Sequence, residues 1–85
     1  MPYSIQFTSR ARRDLDGLDR AVQQHLRTHI DRLAANPIPA GAKKLHGDEP
    51  YYRIRVGDYR LVYQIDGKEL VVIVVKIGHR KEVYR

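Results

Sequence analysis

The chain opens on an alternation. Tyr3, Ile5 and Phe7 interleave with Ser4, Gln6 and Thr8, the two-residue period of a half-buried strand. The period then lengthens. Ala11, Leu15 and Leu18 mark a short helix with Thr8 or Ser9 at its N-cap, and Gly17 and Asp19 interrupt it. Asp19 can cap a second helix, which carries Val22, Leu26, Ile30, Leu33 and Ala34 as one apolar stripe and stops at Asn36-Pro37. Pro37-Ile38-Pro39-Ala40-Gly41 suits neither a helix nor a central strand and reads as a loop. From Tyr51 the period returns to two. Strands are predicted from Tyr51 to Val56, Tyr59 to Ile65 and Glu69 to Ile77, separated by the hairpin dipeptides Gly57-Asp58 and Asp66-Gly67. The last is apolar at consecutive positions, as expected of a central strand covered on both faces. The expectation is one domain over residues 1–85, an α+β fold of strand, two-helix hairpin and three-stranded antiparallel meander.

The first hairpin carries a sharper inference. A two-residue loop at Gly57-Asp58 pairs Val56 with Tyr59, Arg55 with Arg60 and Ile54 with Leu61. Tyr52, Ile54, Val56, Tyr59, Leu61 and Tyr63 then share the helix-covered face, while Arg53, Arg55 and Arg60 share the other. Like charges directly opposed across a ladder are destabilising, and an anion between them is the simplest reason to keep them. A two-residue loop at Asp66-Gly67 would pair Ile65 with Lys68, Tyr63 with Leu70 and Leu61 with Val72. That register puts Val71, Ile73, Val75 and Ile77 on the arginine face and leads the chain toward His79 beside the first hairpin.

Composition narrows the chemistry. There are no cysteines, which excludes a disulfide framework, a thiolate zinc site and a cysteine nucleophile, and fits a reducing cytoplasm. The N-terminal residues lack the basic and long apolar stretches of a signal peptide, and the run from Leu70 to Val75 is too short to cross a bilayer. A soluble, cytoplasmic protein with no membrane association is expected. The net charge is +6, of which residues 1–42 contribute +2 and residues 43–85 contribute +4. Such an excess favours a polyanionic partner. His25 and His29 stand four apart on the second helix, but without the glutamate of a zinc-protease motif, and read as surface residues. The carboxylates are scattered, with no acidic pair near the cationic face, so neither metal nor cofactor is expected.

Cleavage of an RNA phosphodiester requires loss of a proton from the 2′-OH, neutralisation of the phosphorane, and a proton for the departing 5′-oxygen. Guanidinium groups meet the second need, since they bind phosphate oxygens bidentately and stay charged. A phenol or imidazole can meet the others where neighbouring positive charge lowers its pKa.

Lys43-Lys44-Leu45-x-Gly47, then Tyr52-Arg53-Ile54-Arg55-Val56-Gly57-Asp58-Tyr59-Arg60-Leu61-Val62-Tyr63, then Gly78-His79-Arg80 and Val83-Tyr84 together resemble the RelE/ParE toxin superfamily. The ending from Arg80 to Tyr84 is similar to its RelE ribonuclease branch. The resemblance implies a metal-independent messenger RNA endoribonuclease acting in the ribosomal A site and leaving 2′,3′-cyclic phosphate and 5′-hydroxyl ends. It also implies a RelB-like antitoxin as partner in a hetero-oligomeric toxin–antitoxin complex. Arg55, Arg60, Arg80 and Tyr84 are the catalytic group the resemblance implies, with His79 a further catalytic candidate from its place beside the first hairpin; Arg53, Lys43, Lys44 and Lys81 are the candidate RNA contacts. One departure matters: arginine at 55, where the best-known members have lysine, removes one general base and leaves that task to Tyr84 or His79. Two other functions compete, a ParE-like poison of DNA gyrase and an inactive relative that only binds antitoxin or RNA.

Overall fold

Thr8 ends the first strand and starts the first helix with a single hydroxyl. Its Oγ1 accepts from the Ala11 amide at 3.1 Å, so β1 (Ser4–Phe7) gives way at once to α1 (Ser9–Asp16). The computed structural model describes residues 2–45 and 50–79. After α1 come α2 (Arg20–Ala35), β2 (Lys43–Lys44), β3 (Tyr51–Val56), β4 (Tyr59–Asp66) and β5 (Val71–His79). Asp19 stands at the N-cap of α2 without a side-chain capping bond; Gln23 instead ties the helix junction by donating to the Leu18 carbonyl at 2.9 Å.

The five strands form one sheet in the order β1-β5-β4-β3-β2, with β1 parallel to β5 and the other pairs antiparallel. The α+β class and the meander of β3, β4 and β5 are as expected. The short β2 is an addition, paired through Lys43↔Arg53 and Lys44↔Tyr52 where the sequence shows no period to read. Both helices lie on one face. Ala11, Leu15, Leu26, Ile30 and Leu33 meet Val56, Leu61, Tyr63, Val72, Val74 and Ile77 in the core. Each fully buried Leu, Ile or Val there contributes about 1.5–3 kcal/mol. β5 is central, as expected, but covered on one face only: among the described residues no element covers the other, where Val71, Ile73 and Val75 stay half-buried. No described helix is long and apolar enough to cross a membrane.

The second turn corrects the expected register. The loop between β4 and β5 has four residues, 67–70, not two: the Asp66 side chain accepts from the Lys68 and Glu69 amides, and Leu70 closes it at φ 56°. Ile65 therefore pairs with Val72 and Tyr63 with Val74. A second departure lies beyond. The register shifts by one between Val62 and Tyr63, leaving Val75 as a bulged residue and pairing Val62 with Lys76 and Leu61 with Ile77. Ile77, expected on the arginine face, is instead in the core at 4% exposure.

The α1 segment holds the bulge. The Thr8 amide donates to the Val74 carbonyl at 2.9 Å, the Thr8 hydroxyl to the Val75 carbonyl at 3.0 Å, and the Ile77 amide to the Asp14 carboxylate at 3.1 Å. Backbone groups that the irregular ladder leaves over are thus satisfied from the helix side.

Tyr63 ties the 37–41 loop to the core. Its buried hydroxyl donates to the Pro37 carbonyl at 2.7 Å, and burial, reinforced by Tyr52 stacked on it at 5.9 Å, pushes its phenol up from 10.0 to about 12. A group whose pKa rises on folding lends stability that is complete below its unfolded value and fades as pH climbs through its folded one. Stability should therefore fall between pH 10.0 and about 12 through Tyr63. Tyr63→Phe should cost about 1 kcal/mol at neutral pH and weaken that alkaline step. Thermal melts across the alkaline range check this; an identical pH dependence in both proteins would contradict it.

Candidate nucleic-acid interface

Alternation along β3 and β4 sorts the charges as the sequence predicts. Arg55 lies opposite Arg60 and Arg53 opposite Val62, all on the face away from the helices. Directly opposed residues stand about 4.5–5.5 Å apart at Cβ, so two guanidinium side chains rise from neighbouring points of the sheet. Lys43, opposite Arg53, joins the same face. Gly41, Lys43, Arg53, Arg55 and Arg60 line one cleft of about 260 Å³. Arg55 donates from Nε to the Gly57 carbonyl at 2.9 Å, which orients its guanidinium over the hairpin, and the Nε of Arg60 is withdrawn from solvent. Gly41, at φ +92°, is in a backbone region that a side chain would strain, and an added Cβ there would meet nothing within 4 Å. A neighbouring cavity of about 400 Å³ shares Gly41 and Arg55 and is bounded by His29, Arg32, Pro39, Ala40 and Ile54.

Among the described residues, acidic groups are nearly missing from this face. Among the strand residues only Asp66 falls on it by register, at the far end, and its carboxylate serves the amides of the 67–70 turn. A cleft walled by cations fits a phosphate-bearing chain.

Arg53, Arg55, Arg60 and Lys43 converge on this cleft. Lys44, opposite Tyr52, has the register of the helix side instead. His79 does not reach the arginine face either. The bulge pairs it with Tyr59, with which it makes an edge-on ring contact at 5.6 Å, and it lines a cavity of about 320 Å³ with Asp14, Leu18, Tyr59, Ile77 and Gly78. Arg80, Lys81 and Tyr84 lie outside the described residues. His25 and His29 contact one another at 4.8 Å, and the Nδ1 of His29 is 3.1 Å from the His25 carbonyl; among the described residues no three metal-ligating side chains cluster. The sequence reading missed Lys76, which the bulge turns onto the arginine face opposite Val62. Only the bulge reveals it, because the apolar run before it has no alternation.

Because Arg55 and Arg60 repel across the ladder, Arg55→Gln should leave the melting temperature unchanged or raised. A clear fall would show that the pair is held by structural contacts rather than kept for an anion.

Fold and face together define a small α+β domain that presents a cationic sheet surface. Residues 5–84 match the family described as ParE toxin of type II toxin–antitoxin system, parDE. The chain is 33% identical to Toxin RelG of Mycobacterium tuberculosis, over 100% of its own length and 99% of the relative's. It is also 33% identical to the mRNA interferase toxin RelE of Escherichia coli K12, covering 99% of this chain and 92% of the other. Its fold superposes with a TM-score of 0.83 on a chain of the toxin–antitoxin complex RelBE2 of Mycobacterium tuberculosis, at 30% identity, covering 94% of this chain and 100% of that one. The chain belongs to the RelE/ParE superfamily of toxins of type II toxin–antitoxin systems.

Proposed function

We propose that this toxin is an endoribonuclease that cuts messenger RNA on the arginine face, without a metal ion, and that a cognate antitoxin neutralises it. The observation that carries the reading is the convergence of Lys43, Arg53, Arg55 and Arg60 on one cleft. The relative named mRNA interferase supports the substrate, and neighbours solved as RelB–RelE complexes support the antitoxin partner.

In this mechanism Arg53 and Lys43 hold the RNA backbone, while Arg55 and Arg60 grip the scissile phosphate. The neighbouring 2′-OH attacks phosphorus, the bond to the 5′-oxygen breaks, and the products are a 2′,3′-cyclic phosphate and a 5′-hydroxyl. Guanidinium charge stabilises the phosphorane, which carries more negative charge than the ground state. Arg80 follows Gly78 by two residues, and Gly78 is the ladder partner of Arg60. The mechanism assigns Arg80, with these arginines, to the charge of the phosphorane. With His79 paired to Tyr59, the mechanism gives proton transfer to Tyr84.

The test is to express the chain in a translation extract, map messenger RNA ends by primer extension, and assay gyrase supercoiling in parallel. Discrete new ends within coding sequence, with supercoiling unaffected, are expected. Intact messenger RNA with supercoiling inhibited would mean a ParE-like gyrase poison instead; both unaffected would mean a binding module.

A further inference from the structure

We propose that Lys76 is a further backbone-phosphate contact of this site, placed there by the clamped bulge of β5. The inference rests on the RNA reading of the arginine face. Between Leu70 and His79, Lys76 is the only residue that carries a full charge at neutral pH, and it stands half-buried on an inner strand of the sheet. Such positions usually go to apolar residues, since partial burial of an ammonium costs solvation. In a regular β5, Lys76 would point to the helices and Ile77 to solvent. The extra residue at Val75 reverses both, and the bonds from Thr8 and Asp14 hold the reversal in place.

On the arginine face Lys76 completes a row. Lys43, Arg53, Val62 and Lys76 are successive cross-strand partners on β2, β3, β4 and β5, so basic side chains stand on both sides of Val62. Arg60 is the diagonal neighbour of Arg53 and of Lys76, about 7–8 Å from each. The cations therefore form a band across four strands rather than a spot. A single bound anion needs only the Arg55–Arg60 side of it, whereas a chain of phosphates crossing the sheet would meet Lys43, Arg53 and Lys76 in turn. That spacing points to an extended single strand, with Lys76 holding a phosphate flanking the scissile one and taking no part in the chemistry.

The experiment is a salt titration of binding to a short 2′-O-methyl RNA, which keeps the backbone charge but cannot be cut. Each phosphate contact to a single strand contributes about 0.7 to the slope of log K against log salt. Lys76→Gln should lower the slope by about that amount and weaken binding severalfold, and Lys76→Arg should restore both. Lys68→Gln removes the same charge from the distant 67–70 turn and should leave the slope as in the wild type. Thermal melts of all three variants establish that they are folded. An unchanged slope in Lys76→Gln, with the wild type binding strongly, overturns the role of Lys76 and leaves the arginine cleft standing. Equal losses in Lys76→Gln and Lys68→Gln reduce the effect to net charge and overturn it also. A wild type that shows no salt-dependent RNA binding removes the RNA reading itself, and this inference with it.

Discussion

Arg80→Ala should slow messenger RNA cleavage on the order of 10²-fold or more while leaving the protein folded. The phosphorane gathers charge on its non-bridging oxygens as the 2′-oxygen closes on phosphorus, and guanidinium donors already in place stabilise that state more than the ground state. Losing one such donor in other enzymes costs about 10²–10³ in rate. Arg60→Ala should fall in the same range, since Arg60 lines the cleft itself. The measurement is a single-turnover rate at saturating enzyme, with thermal melts as the folding control. If Arg80→Ala cuts as fast as the wild type, Arg80 is outside the site and the cleft works with Arg53, Arg55 and Arg60 alone.

Tyr84→Phe should cost even more of the rate and little of the affinity. The change keeps an aromatic ring, so any stacking on an unpaired base survives, and deletes only the hydroxyl. General acid–base groups contribute about 10²–10⁴-fold, and arginine at position 55 leaves no lysine base there to share the task. The same single-turnover assay gives the rate, and titration with uncleavable RNA gives the affinity. A large loss of affinity with the saturated rate intact would make Tyr84 a stacking residue and return the proton transfer to another group.

How much of this could be read from the chain depends on where the alternation is clean. From Tyr52 to Leu61 polar and apolar positions alternate around Gly57-Asp58, so the pairing of Arg55 with Arg60 follows directly and matches the structure. The stripe on α2 was equally plain: Leu26, Ile30 and Leu33 are buried as their spacing requires. Between Leu70 and Val75 every residue is apolar. No period survives there to reveal a bulge, and a four-residue turn preserves the same facing as a two-residue one, so the parity of Val72 and Val74 came out right from the wrong loop. Past the bulge the parity inverts, which is why His79 was expected over the arginines and pairs with Tyr59 instead. Lys76 was overlooked for the same reason. The clamp that fixes the inversion joins Thr8 and Asp14 to residues more than sixty positions away, a contact that no local pattern reports.

The claim that the arginine face cuts RNA by intramolecular attack is tested most directly with one substrate pair. A minimal RNA is compared, at high enzyme concentration and in EDTA, with the same RNA carrying a single 2′-deoxy nucleotide just 5′ of the scissile bond. Cleavage of the all-ribo strand to 2′,3′-cyclic phosphate and 5′-hydroxyl ends is expected, with the deoxy strand bound almost as well and left intact. Normal cutting of the deoxy strand, products bearing a 5′-phosphate, or activity abolished by EDTA would contradict it.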